Sequence, residues 1–193
     1  GRAVGVPDSR MRAVADALVD WLDADAETRP FGAEDGAYAG LAQPYRTAGI
    51  MLVEVSELRA VKGVDADLYR MLRPWVCALP TTRPAPLNIN TLTPEQAPLL
   101  VMLSGGALGA DEARRLVRRR PADGWRDVAA FRANPEAAAL PAAADEQLSV
   151  VTRFFDVRID VDQGGLRAVR TALLHAPADG PVRTVIQRWT PDE

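Results

Sequence analysis

The sequence predicts an α+β protein: a mainly helical domain over residues 1–148, joined to an antiparallel sheet over residues 149–193. Two patterns carry this. In the first part, apolar residues recur at helical spacing, as in Met11, Val14, Leu18 and Leu22, within short segments punctuated by glycine and proline. From about Ser149 the texture changes. In RFFDVRIDVD, Phe155, Val157, Ile159 and Val161 fall on one face and Asp156, Arg158, Asp160 and Asp162 on the other. With 193 residues, 48% of them apolar and 25% charged, the chain can bury the core of one domain or of two small ones.

The elements follow in order. PDSRMRAVADALVDWL reads as a helix with Asp8 or Ser9 as its cap. An acidic loop follows. MLVEVSELRAVKGVDADLYRMLRPWV then reads as two short helices about a turn at Gly63, with Ser56 and Asp65 as caps and Pro74 closing the second. Leu58, Val61, Leu68, Met71 and Leu72 are its expected inward residues. The linker LPTTRPAPLNIN holds Pro80, Pro84 and Pro86 and cannot be helical. Thr93-Pro-Glu-Gln96 is a capping box that starts a helix bearing Leu99, Leu100 and Leu103. Pro98 predicts that this helix is short or kinked, and Gly105-Gly106 end it. ADEARRLVRRR and WRDVAAF give two more helices. Residues 54–76 and 91–131 thus share a helix–glycine turn–helix plan, a weak repeat of SAM-like or helix-hairpin-helix kind. In the last part Gly164-Gly165 turns the first strand into LRAVRTALLHA, and VRTVIQRW adds a third. The apolar face of that sheet needs a cover, and a long helix upstream of residue 1 is the expected one. The opening GRAVGV likewise reads as the middle of a longer chain.

Several function classes are disfavoured. A net charge of -3 and a pI near 5.3 weigh against nucleic-acid binding. Cys77 is the sole cysteine, so neither an intrachain disulfide nor a cysteine zinc site can form. No apolar run approaches the ~18 residues of a membrane helix. His175 is the single histidine, and no serine stands in a GxSxG turn, so no catalytic arrangement is predicted. The basic helix with Arg114, Arg115, Arg118, Arg119 and Arg120 beside a hairpin-like unit is the feature behind a competing reading, a helix-hairpin-helix nucleic-acid module. Against it, the first hairpin places Asp65 and Asp67 where a phosphate would approach, and Asp111 stands one helical turn before Arg115.

The segment from Asp20 to Tyr45 is the most unusual. It gathers Asp20, Asp23, Asp25, Glu27, Glu34 and Asp35, which repel one another unless they face water or share a cation. With Asp23 as position 1, Asp25, Glu27 and Glu34 take positions 3, 5 and 12 of an EF-hand count. Thr28 replaces the glycine at position 6, Pro30 follows, and no clear exiting helix is expected. The residues alone leave two readings: a solvated acidic turn whose aspartates cap neighbouring helices, or a calcium loop. Trp21, Tyr38, Tyr45 and Trp75 cluster around this region, either to anchor the loop or to meet a partner.

Taken as an ordered set, DALVDWLDAD, GAEDGAY, QPYRTA, VSELRAVKGVD, LYRMLRPWV, PLNINT, TRFFDVRIDV and VIQRW resemble the minor pseudopilin K family of type II secretion systems. The resemblance runs from about Val14 to Trp189. It implies a pilin-like sheet behind a long membrane-derived N-terminal helix absent from this chain, with the helical domain inserted between early and late strands. It also implies a non-catalytic role at the tip of a periplasmic pseudopilus anchored at the inner membrane, with the minor pseudopilins I and J as partners. It further implies calcium binding, which favours the cation reading. The expected ligands are Asp23, Asp25, Glu27, Glu34 and Asp35, with Asp20 assigned to the helix.

Overall fold

The computed structural model describes residues 5–189; residues 1–4, on which the reading of GRAVGV partly rests, and 190–193 lie outside them. The chain divides into two compact units at Ala85–Pro86, within the proline-rich linker. The change from helix to strand near residue 149 falls inside the second unit.

In the first unit, α1 spans Asp8–Leu22 and buries Val14, Ala17, Asp20 and Trp21 on one stripe. Its N-cap position is Pro7, not the expected Asp8 or Ser9. Asp8 instead opens the first turn, where a negative charge complements the helix dipole. After the acidic loop comes α2, Asp35–Ala39. This short helix corrects the expectation that none leaves the loop. The expected first helix of the 54–76 stretch is a 3₁₀ turn, Val55–Ala60. Its cap is Glu54 rather than Ser56: the Glu57 carboxylate accepts the Glu54 N–H at 2.7 Å, and Ser56 Oγ donates to Glu54 at 2.9 Å. Gly63, at φ 87°, turns the chain into α3, Ala66–Leu72, which Asp65 caps by accepting the Leu68 N–H at 2.8 Å. Leu58, Val61 and Leu68 point inward as expected, whereas Met71 is exposed. The core holds Ala17, Trp21, Ala33, Tyr38, Val55, Leu58, Val61 and Tyr69, with Val6, Val14 and Leu68 as a satellite.

The second unit begins with β1, Leu87–Asn88, which pairs in parallel with β2, Leu148–Ser149. The Thr93–Gln96 capping box forms, but over a 3₁₀ turn, Pro94–Gln96. Pro98 then takes the first position of α4, Pro98–Leu103, where its missing N–H is harmless. Gly105 and Gly106, both at positive φ, end that helix. Helix α5 spans Ala110–Arg118 and α6 spans Val128–Arg132, the latter capped by Asp127. Ile89, Leu92, Leu100, Leu108, Leu116, Phe131 and Leu140 pack between these elements.

The three-stranded sheet has the expected antiparallel order: β3 Phe154–Gln163, β4 Leu166–His175 and β5 Arg183–Arg188. Gln163 faces Leu166 across the two-glycine turn, so the hairpin register is the one the alternation sets. On the apolar face of β3, Phe155, Ile159 and Val161 are 44%, 51% and 50% exposed.

Candidate functional site: the acidic loop

Helix α1 delivers Trp21 to the core and ends at Leu22. Asp23 therefore stands at the helix C-cap, its N–H bonded to the Val19 carbonyl. The chain then loops away and returns to Glu34, the N-cap position of α2. That path brings Asp23, Asp25 and Glu34 together: one carboxylate oxygen from each lies within 4.8 Å of the others. Two oxygens on opposite sides of a calcium ion stand about 4.8 Å apart, so a group of this spread can share one ion. Glu27 and Asp35 lie outside this trio. The Glu27 N–H donates to Asp25 Oδ1 at 2.8 Å, which curls the loop. Asp35 Oδ1 accepts from Thr47 N and Thr47 Oγ1, each at 2.9 Å, and its other oxygen is 3.8 Å from Arg46.

The electrostatics separate the two groups. Burial pushes the Asp23 carboxyl above its ordinary range, and the charges of Asp25 and Asp20 add to that. Glu34 is raised in the same way, by burial first and then by Asp20, Asp23, Asp25 and Asp35. Asp35 goes the other way, held low by the Thr47 amide and hydroxyl. Asp23 Oδ1 and Glu34 Oε1 are buried and accept no hydrogen bond. Buried carboxylate oxygens without protein donors, crowded by like charge, are of a kind that fits a hard cation.

Asp20 belongs to α1, as expected, but its carboxylate works on the loop. It is completely buried; Oδ2 accepts the Ala33 N–H at 2.8 Å and the Arg29 N–H at 3.2 Å. Sequence reasoning missed this because the donors lie nine and thirteen residues away. The PFG turn ahead of Glu34 was the available signal, since glycine there allows close approach: a Cβ on Gly32 would fall 1.9 Å from Asp20 Oδ2.

The aromatic residues anchor the loop's exit. Tyr38 and Tyr45 stack at 5.1 Å, and Trp21 meets each edge-on, at 5.4 and 6.0 Å. Tyr38 Oη accepts the Lys62 N–H and Tyr45 Oη donates to the Ala60 carbonyl. Trp75, expected with them, is outside this trio of rings.

The other candidates are engaged structurally. Arg114, not Arg115, pairs with Asp111, at 2.8 Å. Arg119 pairs with Glu136 and Arg120 donates to the Leu92 carbonyl, so much of the basic helix is neutralised or tied to its own unit. In the first hairpin, Asp65 pairs with Arg10 at 2.7 Å and Asp67 pairs with Arg70. His175 stacks on Phe154 with ring centroids 4.5 Å apart. No helix among the described residues is long and apolar enough to cross a membrane.

The fold of this chain matches that of a solved protein from a bacterial secretion system. A chain in the crystal structure of the GspK-GspI-GspJ complex from the enterotoxigenic Escherichia coli type 2 secretion system matches with a TM-score of 0.85. It is 32% identical and covers 97% of this chain and 66% of that one. Two family models described as type II secretion system, protein K, match residues 2–81 and 87–151. The type II secretion system protein K of Aeromonas hydrophila is 41% identical over 165 residues, 84% of this chain and 50% of the relative. That of Pectobacterium carotovorum subsp. carotovorum is 39% identical over 189 residues, 96% of this chain and 56% of the relative. The chain belongs to the type II secretion system protein K family. It spans about half the length of these curated relatives.

Proposed function

We propose that this chain is the periplasmic region of a minor pseudopilin at the tip of the type II secretion pseudopilus. There it caps or initiates the fibre with the minor pseudopilins I and J and supports protein secretion across the outer membrane. The role is structural, without catalysis. The observation that carries it is a likeness, over nearly the whole chain, to one component of a complex of K, I and J proteins. The exposed apolar residues of β3 fit a sheet that a longer protein or a partner covers. In this reading residues 1–148 form a helical insertion with two SAM-like units, residues 149–193 are late strands of a pilin-like domain, and inner-membrane contact belongs to an N-terminal helix of the longer protein.

The test is association. Mixed with pseudopilins I and J, the protein is expected to form a complex that survives moderate salt. Salt-sensitive DNA binding with no affinity for either pseudopilin would favour the helix-hairpin-helix alternative and overturn this one.

Within that role, we infer that the acidic loop holds structural calcium. Asp23, Asp25 and Glu34 would supply carboxylate oxygens. Glu27 and Asp35, the other two of the five expected ligands, border them at the loop's turn and exit. The ion would neutralise the crowded charge and fix the loop, with no part in bond-making. The unpartnered oxygens of Asp23 and Glu34 support this over a solvated turn. Millimolar calcium is expected to raise the melting temperature through binding to the native state, and a chelator to reverse it. Identical melting in calcium and in chelator would sink the inference.

A further inference from the structure

We propose that Asp20 is a positioning residue for this cation site, which it shapes without ligating the ion; the proposal rests on the calcium reading above. Asp20 lies in the last turn of α1, one turn ahead of Asp23, and is completely buried. Its Oδ2 receives the N–H groups of Arg29 and Ala33, at 3.2 and 2.8 Å. Ala33 immediately precedes Glu34. The carboxylate therefore ties the backbone that carries one ligand to the helix end that carries another. Without that tie, the residues between Asp23 and Glu34 would have to be ordered by the ion itself, and the entropy of ordering would be subtracted from its affinity. Gly32 completes the device, because any side chain there would press on Oδ2. Arg29 Nε, 3.9 Å from Oδ1, partly balances the buried charge.

A competing account is purely electrostatic, because the Asp20 charge is felt by both Asp23 and Glu34. Substitutions separate the two. Asp20→Asn keeps an oxygen that can face the same two N–H donors but removes the charge. Asp20→Glu keeps the charge but displaces the oxygens. Asp20→Ala removes both. The measurement is calcium titration by calorimetry on each folded variant, with the melting temperature of the calcium-free protein recorded separately. Positioning predicts that Asp20→Ala and Asp20→Glu weaken calcium binding by about 10- to 100-fold, as expected for a lost supporting partner, while Asp20→Asn loses less than about tenfold.

If Asp20→Ala does not fold, the Asn and Glu variants decide between the accounts, with Gly32→Ala as a second way of dislodging the carboxylate. Loss of affinity in Asn but not in Glu would assign the effect to charge and overturn the proposal. Lower calcium-free melting temperatures with unchanged calcium affinity would mean that Asp20 is merely structural, and would overturn it too. A wild-type protein that binds no calcium would remove the calcium reading itself and this proposal with it.

Discussion

Gly32 is the residue on which the loop's geometry is most tightly drawn. Alanine there would place a Cβ 1.9 Å from Asp20 Oδ2, against a completely buried side chain that cannot simply swing into solvent. Gly32→Ala is expected to cost about 1–3 kcal/mol of stability, read from urea denaturation in the absence of calcium. Asn90 plays a comparable part in the second unit. Its Oδ1 accepts the Trp125 N–H at 2.7 Å and its Nδ2 donates to the Trp125 carbonyl at 2.9 Å. Asn90→Ala abandons both backbone groups and is expected to cost roughly 1–3 kcal/mol in the same measurement. Neither residue's partner was legible in the sequence. A close approach twelve residues away, or a hydrogen bond thirty-five residues away, leaves no periodic trace. Local chemistry was different: Asp65 as a cap and Gly63 as a left-handed turn could be assigned, because cap and turn bonds close within three or four residues.

Among the elements, the two capping aspartates contribute to the pH dependence. Asp65 is held below the usual carboxylate range by the Leu68 N–H and then by Arg10, and Asp127 by the Ala130 N–H and then by Arg126. A carboxyl with a lowered native value binds fewer protons folded than unfolded, so its stabilisation is full above the unfolded value. It is lost as pH falls through the native one. The melting temperature is therefore expected to decline as pH falls below about 4, and the decline should be shallower in Asp65→Asn and Asp127→Asn than in the parent. The β3–β4 hairpin makes a second test. Gly164 and Gly165 have φ of 59° and 78°, which a side chain resists. Gly165→Val is expected to destabilise the hairpin by about 1–2 kcal/mol, seen as lost amide protection along β3 and β4. The strands and their register were readable because alternation has a strict period of two. Helix α2 and the β1–β2 pair were not: five residues, or two, hold too few apolar positions to show a period, and their existence depends on distant packing.

At the scale of the whole molecule, the two units have separate cores, and different devices hold them. In the second unit, Arg132 gathers the chain that leads toward the sheet: it donates to the carbonyls of Ala137, Leu140 and Pro141 and pairs with Asp145. Arg132→Ala is expected to cost about 3 kcal/mol and Arg132→Lys to recover only part of it, since an ammonium cannot reproduce the planar fork. In the first unit the acidic loop has the corresponding part in the calcium reading proposed above. Calcium is accordingly expected to slow amide exchange across residues 20–50 and to leave residues 86–189 nearly unchanged; uniform protection of both units would count against a local role for the loop. The sequence by itself determined the α+β class, the longer helices such as α1 and α5, the β3–β4 register and the family, because each rests on near-neighbour periodicity, punctuation or an ordered set of motifs. Tertiary structure alone decided which carboxylates meet. The EF-like count put four acids in line, but folding brought Asp23, Asp25 and Glu34 together, drew Asp35 to Thr47 and set Asp20 against the Ala33 and Arg29 amides. Those choices depend on where the chain returns after a proline and a glycine, which spacing along the sequence cannot encode.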